Sequence, residues 1–323
     1  MKDTLTKVSL SESQKTSAGG LLPDLSVEIG GVKLKNPVMP ASGTFGSGME
    51  YAEMIDLNCL GAVVTKGVSN VPWTGNPTPR VTEVYGGMLN AIGLQNPGIE
   101  IFIKRDLEFL KQFDTRVIVN VCGKSEEDYL EVVERLSEEK RVDLLEINVS
   151  CPNVKEGAIA FGQNADSLFH ITQEIKKKAA QPVIMKLTPN VTSIAEMAKA
   201  AEAAGADAVS MINTITGVKI DVERQCFVLA NKTGGMSGPA IKPVAVRMVW
   251  QAAQAVKIPI IGMGGIGSAE DALEFMLAGA SAVAVGAMNF HEPTVMPQIV
   301  EGIRDYCVRH RVSSVQELIG KVR

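Results

Sequence analysis

Two stretches, Ala204-Gly-Ala-Asp-Ala-Val209 and Ala278-Gly-Ala-Ser-Ala-Val283, share one pattern, and Leu60-Gly-Ala-Val63 is a fainter copy. In each, a glycine closes a helical segment directly before an apolar strand. A chain that repeats this step builds strand–helix units, and such units stack helices onto a parallel sheet.

Reading outward from the echo gives eight strands. They are Pro37 to Ala41, Gly61 to Thr65, Arg116 to Val121, Val142 to Ile147 leading into Asn148, Pro182 to Leu187, Ala208 to Ile212, Ile258 to Gly262 and Ala282 to Val285. Helical spacing follows them over Met49 to Leu57, Ile99 to Phe113, a segment capped by Ser125 with Asp128 three residues on, Asp166 to Ala179, Ser193 to Ala204, Ile241 to Val256, Ser268 to Leu277 and Thr294 to His310. Ahead of them, Leu25 to Leu34 alternates apolar and polar residues around Gly30-Gly31, the signal of a hairpin. Eight such units in about 250 residues predict a (β/α)8 TIM barrel with an N-terminal β-hairpin. The rival is a doubly wound sheet. Two stretches break the rhythm. Gly67 to Gly98 reads as a long irregular insertion dense in Gly, Pro and Asn, and Gly217 to Gly235 as a second, so inserted active-site loops are expected.

Composition narrows the function. The 323 residues are 46% hydrophobic and 21% charged with net charge −4, an ordinary globular balance without a nucleic-acid footprint. Lys176-Lys177-Lys178 ends a helix, where cations favour the dipole. Cys59, Cys122, Cys151, Cys226 and Cys307 are scattered, with no CxxC pair. No disulfide framework, zinc site or iron–sulfur cluster is therefore indicated, metal ligands are expected to be none, and a cytoplasmic location fits. Residues 1–22 read as a flexible tail and 23–323 as one barrel domain. No apolar run is long enough to span a bilayer.

In a barrel the active site lies at the C-terminal ends of the strands. Those ends are Ala41-Ser42-Gly43, Lys66, Asn120, Asn148, Lys186, Asn213-Thr214, Gly264-Gly265 and Gly286-Ala287. One polar strand end is usually a turn former. Two lysines and three asparagines converging on one mouth need compensation, which a polar, partly anionic heterocycle supplies. Gly262-Met-Gly-Gly-Ile-Gly267 matches a dinucleotide fingerprint in letters, but no acid stands at the next strand's end, where Ala282 to Ala287 runs, and only one unit follows. The same glycines fit the phosphate site formed after barrel strands 7 and 8. The implied ligand has one phosphate and an extended ring, as FMN does. Cys151 stands in a short turn after Asn148, fixed by Pro152. It reads either as a loop cysteine or as a thiol that reaches a ligand.

These residues carry a resemblance. Asn36-Pro-Val-Met-Pro-Ala-Ser-Gly43, Thr65-Lys-Gly67, Asn90-Ala-Ile-Gly-Leu-Gln-Asn-Pro-Gly98, Asn148-Val-Ser-Cys-Pro-Asn153, Lys186-Leu-Thr-Pro-Asn190, Asn213-Thr214, Gly234-Gly-Met-Ser-Gly-Pro239 and Gly262-Met-Gly-Gly-Ile266 resemble the class 1 dihydroorotate dehydrogenases, and more narrowly the NAD-linked class 1B catalytic subunits. The likeness runs from Leu25 to Val312. It implies oxidation of dihydroorotate to orotate in pyrimidine biosynthesis, with Cys151 as the base that takes the C5 proton. It implies an orotate site of Lys66, Asn90, Ala91, Ile92, Gly93, Leu94, Asn148, Asn153, Asn213 and Thr214. It implies one FMN contacted by Ser42, Lys66, Gly67, Asn120, Asn148, Lys186, Ile212, Gly238, Gly264, Gly265, Gly286 and Ala287. Electrons would pass to NAD through a partner subunit carrying FAD and a [2Fe–2S] cluster, around a homodimer core of a heterotetramer.

Two departures stand out. Glu156-Gly157-Ala158 occupies a place where a glycine pair is expected, and Ala287 replaces a commoner threonine, so a side-chain hydroxyl on the phosphate is missing there. The alternatives are a dihydropyrimidine dehydrogenase-type flavin domain and a non-catalytic FMN or phosphate-ligand barrel. Asn153 after Ser-Cys-Pro favours orotate over the first, and Cys151, which binding alone does not need, disfavours the second.

Overall fold

The protein is described by a computed structural model over residues 22–149 and 161–323. The expected hairpin forms from β1 (Val27–Ile29) and β2 (Val32–Leu34). The barrel follows. Its strands are β3 (Val38–Pro40), β4 (Ala62–Val64), β7 (Arg116–Val121), β8 (Leu144–Asn148), β9 (Val183–Lys186), β10 (Ala208–Met211), β15 (Ile260–Met263) and β16 (Ala282–Val285). They pair in parallel in the order β3-β16-β15-β10-β9-β8-β7-β4. Apart from exposed Arg116 at the start of β7, the strands are buried along their length because helices cover the outside and side chains fill the inside.

The ring meets between β3 and β4. The Gly61 N–H donates to the Val38 carbonyl at 3.0 Å. Buried Asn36 pins the same seam, donating to Cys59 O at 2.8 Å while its oxygen accepts from Val38 N at 3.1 Å. A Cβ on Gly61 would lie 2.0 Å from the Asn36 carbonyl oxygen, so only glycine lets the two segments approach.

The helices after β7 to β16 fall where the pattern put them. Ser125 and Asp128 form a full capping box on helix Glu126–Ser137, worth about 1 kcal/mol. The segment after β4 is helical as Ile99–Ile101 and Glu108–Leu110, with a π-wound stretch Phe102–Leu107 between them. The expected helix Met49 to Leu57 does not form. Two 3₁₀ turns, Tyr51–Glu53 and Leu57–Cys59, stand in its place. Asp56 is extended and its carboxylate accepts from Asn58 N at 3.0 Å, which starts the second turn, while the first closes at Met54. So short an uncapped segment does not offset the cost of nucleation. A short helix, Met288–His291, has no counterpart in the sequence pattern.

The insertions also differ from expectation. Far from being irregular, Gly67 to Gly98 contains the hairpin β5 (Val81–Val84) and β6 (Gly87–Asn90). The second insertion contains β11 (Ile215–Val218), β12 (Ile220–Asp221), β13 (Cys226–Phe227) and β14 (Thr233–Ser237). The two join in one antiparallel sheet, β11-β14-β6-β5, with Asn90 opposite Gly235. Of the expected tail, residues 1–22, all but Leu22 lie outside the described residues.

The seam yields a test. Gly61→Ala forces a backbone shift and is expected to destabilise the protein by about 1–3 kcal/mol, read from urea unfolding midpoints. Unchanged stability contradicts this account of barrel closure.

Candidate active site

The mouth is built on a polar layer inside the barrel. Parallel register sets Asn120 opposite Glu146, and Asn148 opposite Lys186, which in turn faces Ser210. Glu146 is 2% exposed. Its Oε1 accepts from Asn120 Nδ2 at 2.6 Å and its Oε2 from Ser210 Oγ at 2.8 Å. The Lys186 ammonium, also buried, sits 3.9 Å from Oε1 and donates to Ser42 Oγ at 3.1 Å. Thus strands β7 to β10 and the loop after β3 share one charged network. Removing one member of a buried pair leaves the other charge uncompensated, at a cost of roughly 3–5 kcal/mol. One atom of the layer is left over: Asn120 Oδ1 is buried without a hydrogen-bond partner among the described residues.

Beside this layer lie glycines whose places a side chain would fill. Gly264 and Gly265 follow β15 with φ of +132° and +79°. A Cβ on Gly264 would lie 2.7 Å from Ala245 Cβ, and one on Gly265 would lie 2.9 Å from the Gly238 carbonyl oxygen. Gly238 and Ile212 are therefore neighbours of the same turn, Ile212 also donating its N–H to Met263 O at 3.0 Å. Gly286 and Ala287 follow β16. Buried Asn289, two residues on, donates to Val285 O at 2.9 Å and to Thr44 Oγ1 at 3.1 Å, tying the loop after β16 to that after β3. Backbone N–H groups in glycine turns beside a helix start suit a phosphate.

The inserted sheet brings the remaining residues over. Lys66 follows β4, its N–H held by Gly46 O at 2.7 Å. Gly67 lies against Asn120, since a Cβ there would meet Asn120 Oδ1 at 3.0 Å and Leu94 Cδ2 at 3.7 Å. Leu94 thus reaches the mouth from the first insertion, at a φ of +54°, and Asn96 Nδ2 holds its carbonyl at 2.9 Å. Ahead of it, Asn76 binds the carbonyls of Ala91 and Ile92, each at 3.0 Å, and leaves no room for a side chain on Gly93. Asn90 donates to Gly235 O at 3.4 Å, and Gly235 packs on Thr214. Asn213 N donates to Leu187 O at 3.1 Å, fixing the end of β10 beside that of β9.

Cys151 and Asn153 lie outside the described residues, as does Glu156-Gly157-Ala158. Just before them, the Asn148 carbonyl accepts from the Tyr129 hydroxyl at 2.8 Å. The sequence alone gives no role to Glu146, Ser210, Tyr129 or Asn289. Glu146 was open to view, a charge two residues before Asn148 in an apolar strand. Ser210 and Asn289 carried no comparable signal. Among the described residues no three His, Cys, Asp or Glu side chains gather as a metal site. Two of the described thiols are raised by their surroundings. Burial, then the Asp56 carboxylate, pushes Cys59 up to about 12, and burial also raises Cys307.

The comparisons agree with one another. The family model for dihydroorotate dehydrogenase matches residues 24–306. A protein of Lachnoclostridium phytofermentans, named dihydroorotate dehydrogenase B (NAD(+)) catalytic subunit, is 66% identical over 298 residues, 92% of this chain and 99% of the relative. One of the same name from Alkaliphilus oremlandii is 58% identical over 299 residues, covering 93% and 99%. A solved structure, DHODH from Eimeria tenella in complex with ferulenol, superposes with a TM-score of 0.76 at 22% identity, covering 92% of this chain and 88% of the other, a likeness of fold.

The raised thiols give a measurable consequence. Alkylation of the folded protein at about pH 8 is expected to label exposed Cys226 and to spare Cys59 and Cys307, as peptide masses will report. Rapid labelling of Cys59 before unfolding runs against it.

Proposed function

The chain belongs to the dihydroorotate dehydrogenase family, and from that premise we propose how its own residues carry out the oxidation of dihydroorotate to orotate. The reaction removes a proton from C5 and a hydride from C6. The observation that carries the reading is the polar mouth itself: two lysines and the asparagines gathered at strand ends, beside a glycine turn shaped for a phosphate.

The residues present fit FMN. The Asn120 oxygen, unpaired among the described residues, calls for a ring donor, and the turn at Gly264 and Gly265, where a side chain would fill the space, suits the phosphate with Gly286 and Ala287. Gly238 and Ile212 border that turn, while Ser42, Lys66, Gly67, Asn120, Asn148 and Lys186 would hold the ring. The chemistry FMN supplies when bound is acceptance of a hydride. Lys186 stabilises negative charge there, and its link to Ser42 keeps it in place.

Substrate falls to Lys66, the turn Asn90, Ala91, Ile92, Gly93 and Leu94, and to Asn148, Asn153, Asn213 and Thr214. Carboxamides both donate and accept, which matches the alternating C=O and N–H edge of the pyrimidine. Cys151 takes the C5 proton. A thiol's ordinary pKa of about 8.5 makes it usable near neutral pH. Tyr129 steadies the strand end from which Cys151 follows.

The electrons go on to NAD through a separate subunit with FAD and a [2Fe–2S] cluster, arranged around a homodimer of this chain. The relatives' name, catalytic subunit, supports a partner. The second insertion carries exposed apolar side chains, Val218, Ile220, Val222 and Phe227, of the kind a contact needs. No helix among the described residues is long and apolar enough to cross a membrane.

Cys151→Ala is expected to keep FMN and orotate binding while slowing flavin reduction by dihydroorotate about 10²-fold or more. Cys151→Ser should recover activity as pH rises, because a hydroxyl is the weaker acid. Rapid reduction of the Ala variant at neutral pH rules the base out. For the partner, the isolated chain should reduce an artificial dye with dihydroorotate but not NAD at a comparable rate. Efficient NADH formation by this chain alone refutes the two-subunit scheme.

A further inference from the structure

We propose that Glu146 is a positioning residue of the cofactor site, which fixes the Asn120 carboxamide so that its oxygen is offered to the ring as a hydrogen-bond acceptor, and which holds the Lys186 ammonium beside it. The inference rests on the FMN reading of the mouth and assigns a residue that the reading leaves unused.

A carboxylate in a barrel interior is an apparent waste. Barrel interiors are filled by branched apolar side chains, and an apolar residue costs less there than a carboxylate. Glu146 is nonetheless 2% exposed and surrounded by donors from three other strands: Asn120 on β7, Lys186 on β9 and Ser210 on β10. Both its oxygens accept, and this settles the orientation of Asn120. An amide NH2 can face a carboxylate oxygen at 2.6 Å, whereas an amide oxygen in that place meets a second acceptor. Asn120 therefore turns Oδ1 away from Glu146, toward Gly67 at the mouth. There it is buried and unpaired among the described residues, a costly state for a protein that binds nothing.

An oxidised flavin ring carries a single N–H, the imide, flanked by two carbonyls. An acceptor oxygen with an ammonium close by is the complement of that edge. Without the carboxylate, the Asn120 amide is free to turn and the Lys186 charge loses its counterion. Glu146 thus sets both the sign of the hydrogen bond and the local field without touching the ring.

The test uses wild-type apoprotein, Glu146→Gln and Glu146→Asp, each titrated with FMN and with 3-methyl-FMN, whose imide N–H is blocked, and followed by flavin fluorescence. Wild type is expected to bind FMN about tenfold or more tighter than the methylated analogue. Glu146→Gln should bind FMN about tenfold or more weakly and should lose most of that discrimination. Glu146→Asp, which keeps the charge, should recover part of both. The midpoint potential of bound flavin should move positive in Glu146→Gln, because an uncompensated Lys186 favours the electron-rich form. A folded Glu146→Gln with wild-type affinity, discrimination and potential overturns the proposal, as does equal binding of both flavins by wild type. Where Glu146→Gln fails to fold, Ser210→Ala takes its place. It removes one bond that orients the carboxylate and should weaken FMN binding several-fold, and unchanged affinity overturns the inference. Wild type that takes up no FMN at all overturns the cofactor reading and this proposal with it, an outcome distinct from equal binding by wild type and variants.

Discussion

A carboxylate enclosed in a barrel must have donors on several sides, and the mouth of this protein is arranged around that requirement. Glu146 on β8 draws Asn120, Lys186 and Ser210 from the strands on either side of it, and Lys186 extends the network to Ser42 beyond β3. Parallel register puts these residues at neighbouring levels, so one charge organises side chains far apart in sequence. One acceptor of the network, Asn120 Oδ1, is left without a partner among the described residues.

Close backbone approach is the second constraint. Gly61 allows the seam between β3 and β4 to meet, Gly235 lets Thr214 come under the inserted sheet, and Gly264 and Gly265 let the turn after β15 pass close to Ala245 and Gly238. The inserted sheet is not decoration on the barrel. By pairing Asn90 with Gly235 it joins the loop after β4 to the loop after β10, and so carries the Asn90 to Leu94 turn to the strand ends. A scaffold of short parallel strands with function on such loops is the usual division of labour in this fold.

Much of this was legible in the sequence. The eight strands, most helices and the hairpin follow from apolar periodicity and glycine punctuation, and the lysines and asparagines stood visibly at strand ends. What stayed hidden depended on non-local contacts. Val81 to Val84 alternates too briefly to declare a strand, and its sheet continues only through a segment far along the chain. The segment Met49 to Leu57 had helical spacing, but Asp56 caps a new turn, a detail that periodicity does not weigh. Glu146 was visible as a charge yet mute in role, because its partners come from other strands. Asn289 looked like any loop residue until the fold set it against Thr44 and Val285.

Oxidation of dihydroorotate at this mouth with a bound flavin is open to direct test. The most direct measurement mixes purified protein with dihydroorotate under anaerobic conditions and follows the flavin absorption while quantifying orotate. The account predicts that the flavin band bleaches and that orotate appears in equal amount to the flavin reduced. A flavin-loaded protein whose spectrum does not change and which forms no orotate would contradict it.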